Sequence, residues 1–81
     1  MIILNAVQCR MARAALGLGV RELAALANVA PATITRLERG EELLPRTVAA
    51  LQSALEQAGV IFLEAGATVD GGPGVRLATK E

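Results

Sequence analysis

The stretch VRELAALANVAPATITRLERG, Val20–Gly40, decides how this chain folds. In its first part, VRELAALA (20–27), Leu23, Ala24 and Ala27 share one face at helical spacing. Asn28-Val29-Ala30 interrupts that helix. Pro31 then suits the first turn of a new one, where its missing N–H costs nothing and its fixed φ is already helical. The second helix, PATITRLER (31–39), turns Ile34 and Leu37 inward and stops at Gly40, a residue suited to a left-handed cap. Ala24 is small where the second helix crosses the first, and Val29 is placed to plug the turn into the core. The rotation fixed by Ile34 and Leu37 leaves Pro31, Ala32, Thr35, Arg36 and Arg39 outward or near the edge.

Two short helices joined by a three-residue turn form a helix-turn-helix. On its N-terminal side, Asn5 followed three residues later by Gln8 gives a capping-box pattern, and Gly17 and Gly19 mark a stop. A helix over about 6–16 follows, with Val7, Met11, Ala14 and Ala15 expected on its buried face. On the C-terminal side, Pro45 opens a helix over 45–58 that Gly59 ends, with Val48, Leu51 and Leu55 as its stripe and Ala54 and Ala58 beside them. Glu41–Leu44 has room for a fifth, minor turn. Beyond residue 59 the pattern changes. Val60–Leu63 is β-branched and aromatic, and 74–78 alternates so that Val75 and Leu77 share a face. The pair predicts a β-hairpin with a long loop, which is weak alone and must pack on the helices or on another subunit. Met1–Leu4 has the makings of a further strand.

The chain has 81 residues, enough for one domain. Apolar residues make up 53%, but 16 of them are alanine and one is aromatic, a composition that favours closely packed helices over a large sheet. There is no His and one Cys, Cys9. That argues against a zinc site, an internal disulfide and an imidazole-based hydrolase triad. No metal or other cofactor, and no enzymatic activity, is expected. The longest apolar runs are four or five residues, too short for a membrane span or a signal peptide, so the expected location is the cytoplasm.

The formal charge of zero hides an asymmetry: residues 1–40 carry a net +3, all five cations being arginine, and residues 41–81 a net −3. Arginine forks match phosphates and guanine edges, although exposed helix arginines also simply solvate a surface.

Glu22-Leu23-Ala24, Val29, Thr33-Ile34 and Leu37-Glu38 with Gly40 together resemble the phage-repressor/Cro type of helix-turn-helix, also called the xenobiotic-response-element family. The later Gly-Val-Ile-Phe-Leu and Gly-Pro-Gly-Val-Arg-Leu segments look like a bacterial subgroup of small regulators from it. The resemblance implies a mainly α, lambda-repressor-like bundle of four to five helices with a short C-terminal β-hairpin. Residues 1–59 would form the DNA-binding domain, and 60–81 an extension that serves dimerisation. It also implies a partly buried ion pair between Arg13 and Glu38, structural in role.

The departures from that pattern bear on function. Val20 stands where the family commonly has Gln, after Gly19 where a Ser or Thr cap is usual, and the recognition helix starts Ala30-Pro31-Ala32 in place of polar base readers. Alanine and proline touch thymine methyls but cannot hydrogen-bond a base edge. Direct readout then falls on Arg36, with Thr33 and Thr35 beside it, and phosphate contacts on Arg21, Arg39 and Arg46.

The expected function is a sequence-specific transcriptional regulator that inserts helix 31–39 into the major groove of double-stranded DNA as a homodimer. The dimer surface is expected at Ile61, Phe62, Leu63, Val75 and Leu77, which exceed the needs of one small core. The competing reading is a protein-interaction module, an antitoxin or anti-activator, that grips a protein partner and reads bases weakly or not at all. Other features have plainer explanations: Cys9 as a buried small apolar residue, Gly71-Gly72-Pro73-Gly74 as turn chemistry without the P-loop lysine, and Glu41-Glu42 as a solvated acidic corner.

Overall fold

The computed structural model describes residues 4–66 and 70–78. Four helices, α1 (Ala6–Leu16), α2 (Val20–Ala27), α3 (Pro31–Glu38) and α4 (Pro45–Gln57), are followed by two strands, β1 (Val60–Leu63) and β2 (Gly74–Leu77). The fold is thus mainly helical with a C-terminal hairpin. Residues 41–44 form no fifth helix. The strand sought at Met1–Leu4 falls on residues 1–3, outside the described residues; Leu4 itself is not in a strand but is buried, its N–H donating to Gln52 Oε1 at 3.1 Å.

Local chemistry sets the ends of the helices. Asn5 and Gln8 form the capping box of α1: the Gln8 N–H donates to Asn5 Oδ1 at 2.8 Å and the Asn5 N–H to Gln8 Oε1 at 3.3 Å. Gly17 closes α1 at φ +70, a left-handed conformation that costs glycine little. Asn28 closes α2 at φ +58, and the Val29 N–H reaches back to Ala24 O at 3.0 Å, so the turn that aims α3 is tied to the helix before it. Pro31 and Pro45 occupy the first turns of α3 and α4. The C-cap of α3 is Arg39, in the right-handed region, and the positive φ falls on Gly40 just beyond it.

The core is built from Leu4, Cys9, Ala12, Leu23, Ala24, Ile34, Leu37, Val48, Leu51, Leu55, Val60 and Phe62. The buried face of α1 differs from the expected one. Val7 is half exposed and Ala14 and Ala15 are exposed, while Gln8, Cys9 and Ala12 are buried. A polar side chain can occupy that face because its bonds are supplied from afar. Gln8 Nε2 donates to Leu63 O at 3.1 Å and to Gly74 O at 3.0 Å, so both donors and the carbonyl oxygen are used. Among the described residues no buried side-chain polar atom lacks a partner.

The hairpin is antiparallel, pairing Val60 with Leu77, Ile61 with Arg76, Phe62 with Val75 and Leu63 with Gly74. Gln8 bonds both carbonyls of that last pair and fastens the loop end of the hairpin to α1. Alternation sends Val60 and Phe62 into the core and Ile61 outward. Phe62 therefore does not belong with the exposed dimer candidates. At 4% exposure it is spent on the core of its own chain, Leu63 and Val75 are partly covered, and only Ile61 and Leu77 remain open.

Candidate nucleic-acid interface

Helix α3 is anchored by Ile34 and Leu37, both buried, and by Glu38. The Glu38 carboxylate takes two bonds from Arg13 of α1, Nε to Oε2 and Nη2 to Oε1, each 2.8 Å long. Arg13 Nη1 also donates to Leu18 O at 3.2 Å, tying in the α1–α2 connection. The pair is mostly enclosed, the side chains keeping 23% and 10% of their exposure. Burial pushes the Glu38 carboxyl up, but the Arg13 guanidinium overrides it and holds the group below the usual carboxylate range. The same bond raises Arg13. Cys9 sits beside this pair, fully buried. Burial, reinforced by the Glu38 carboxylate, pushes its thiol up to about 12, so it is neither nucleophilic nor easily oxidised at neutral pH.

With its inner side fixed this way, α3 presents a continuous outer face. Pro31, Ala32, Thr35, Arg36 and Arg39 are exposed, and Thr33 is partly covered. Arg21, at the start of α2, and Arg46, at the start of α4, are exposed as well. The first turn of α3 has no side-chain cap, because neither Ala30 nor Pro31 can supply one. Thr35 Oγ1 turns back to Pro31 O at 3.4 Å. Beside Thr33 and Arg36, an open notch of about 440 Å³ reaches Leu43, Leu44, Pro45 and Thr47.

Glu41 is the member of this face that sequence reading passed over as part of a solvated acidic corner. It is exposed, yet it accepts from Arg36 Nε at 3.2 Å through one oxygen and from Arg39 Nη2 at 2.8 Å through the other. Its own N–H donates to Arg36 O at 3.1 Å. The Arg36 bond, aided by Arg39, holds the Glu41 carboxyl below its ordinary value. Gly40, at φ +92, reverses the chain so that Glu41 returns over the last turn of α3, a closeness set by the geometry of the turn and not by any spacing in the sequence.

The sequence model of the family described as a helix-turn-helix domain matches residues 6–60, well over half of the chain. The protein belongs to the helix-turn-helix domain family. No curated protein and no solved structure matches it. Helix-turn-helix domains bind DNA by laying the second helix of the motif in the major groove, so DNA-binding regulation is the general function of this helix-turn-helix protein. The matched region runs from the first residue of α1 to the first of β1, leaving most of the hairpin outside it. Among the described residues, no helix is long and apolar enough to cross a membrane, and no three His, Cys, Asp or Glu side chains are grouped to hold a metal ion.

Proposed function

We propose that this helix-turn-helix protein is a sequence-specific transcriptional regulator of the phage-repressor/Cro type that docks α3 in the major groove as a homodimer. One observation carries the reading: the side of α3 away from Ile34 and Leu37 is open to solvent and bears Arg36 and Arg39, with Arg21 and Arg46 at neighbouring helix starts. Arg36 is the proposed base reader. Pro31 and Ala32 offer contacts to thymine methyls, Thr33 and Thr35 contribute at their edges, and Arg21, Arg39 and Arg46 meet phosphates. The Arg13–Glu38 pair supports the Cro-type assignment and stays out of the interface. For the dimer, support comes from Ile61 and Leu77, 46% and 50% exposed on a hairpin whose two strands pair, among the described residues, with no further strand. Two copies joined there would read two half-sites about one helical turn apart.

Selection of bound duplexes from a random pool, together with sedimentation, tests the whole reading. A defined motif and a two-subunit complex are expected. Arg36→Ala costs about 1–3 kcal/mol at one base position, whereas Arg21→Ala weakens all sequences alike. Affinity falls steeply as salt rises. An unenriched pool, little DNA binding even at low salt and a co-purifying protein would transfer the function to a protein-interaction module. Unchanged binding in both arginine variants would overturn the placement of α3.

A further inference from the structure

The shared carboxylate on α3 leaves its two arginines in different states. Arg36 gives Glu41 only its Nε, at 3.2 Å, and no bond occupies its terminal amino groups among the described residues. Arg39 gives up a terminal amino group, at 2.8 Å. Both arginines and Glu41 are exposed, with side-chain exposures of 52%, 65% and 44%, so the carboxylate stands at the surface where a DNA phosphate would arrive. A carboxylate repels phosphate and competes with it for Arg39. At Arg36, gripping Nε fixes the direction of the guanidinium plane while leaving the terminal fork free, and that fork makes bidentate contact with guanine O6 and N7.

We propose that Glu41 is a positioning residue that sets sequence selectivity, aiming Arg36 at a base edge while holding Arg39 back from indiscriminate phosphate contact. The inference rests on the DNA-binding reading above and adds to it a built-in penalty on non-specific binding. Complexes held by phosphates alone meet the repulsion and the competition for Arg39 in full. A cognate complex recovers part of that loss through an arginine already directed at its base. Loss of the carboxylate therefore tightens non-specific binding more than cognate binding.

The test compares the full chain with its Glu41→Gln variant on two duplexes of about 20 bp, one selected from a random pool by the wild type and one scrambled. The variant is expected to bind the scrambled duplex about two- to fivefold more tightly, the reach of one exposed ion pair, with a steeper salt dependence. The ratio of selected to scrambled affinity is expected to fall. Nitrogen-15 NMR of the free proteins supplies a second readout: the Arg36 Nε–H resonance shifts on substitution while that of Arg21 does not. A wild type that discriminates while the variant keeps the full ratio sinks this inference alone, as does an Arg36 resonance that ignores the substitution. A wild type that binds neither duplex sinks the DNA-binding reading and this inference with it.

Discussion

Two glutamates at the end of helix α3 are held by arginines, Glu38 at 2.8 Å and Glu41 at 2.8 and 3.2 Å, and they do opposite things. Glu38, on the inner side, receives a bidentate fork from Arg13 in a mostly enclosed site. Glu41, one turn of chain further on, holds Arg36 and Arg39 by one bond each in open solvent. A charge that is enclosed and doubly bonded has nowhere else to go, so its pair fixes helix positions. A charge at the surface can trade its partner for water, salt or phosphate at a cost of about 1 kcal/mol or less, so its pair biases the two arginines without locking them. Bond length alone does not separate scaffold from interface; solvent does.

The sharpest way to break this contrast is to cut the inner pair. Arg13→Ala strands Glu38 and is expected to cost about 3 kcal/mol, the lower end for breaking a buried pair because Arg13 keeps some exposure. In a chain this short the loss lowers Tm by more than about 10 °C, which a thermal melt followed by circular dichroism reads directly. An unchanged Tm would show that enclosure is not what distinguishes the pair.

A smaller effect is expected from acid. Because the Glu38 carboxyl lies below its ordinary value of 4.5 in the fold, its stabilisation is full above the unfolded-state pKa and drains away as pH falls through the lower, folded one. Urea midpoints measured from pH 6 down to about 3 should drop for the wild type and follow a flatter course in Glu38→Gln. Smaller still is the net change on replacing both partners by apolar residues. Arg13→Met with Glu38→Leu is expected to return to within about 1 kcal/mol of the wild type, since no stranded charge remains. At the bottom of the scale, Glu41→Gln is expected to leave the melting temperature where it was, because every member of that cluster is already in water.

Local signals made most of the fold legible. Asn5, Gly17, Pro31, Pro45 and Gly59 each mark a boundary through their own backbone or capping chemistry, and the helices begin and end beside them. What failed was the face of α1. Leu4, Gln8, Ala12 and Leu16 form an i, i+4 series, but the series contains a glutamine, a residue type found mostly at the surface. The carbonyls that satisfy Gln8 lie 55 and 66 residues away, where no local pattern reaches. In β1, strict alternation already separates Phe62 from Ile61 and Leu63, and grouping the three as one apolar patch ignored it. For the candidate interface, the outward direction of α3 followed from its two inward residues. The part played by Glu41 did not, because it depends on how tightly the chain turns back at Gly40.

The enclosed Cys9 gives the chain a recorder of its own opening. A sulfhydryl that is both sealed from solvent and almost wholly protonated near neutrality will not react with a thiol dye while the helices stay packed. In dilute reagent the labelling rate then reports the fraction of time this small bundle spends open, and in reagent concentrated enough to outpace reclosing it reports the rate of opening itself.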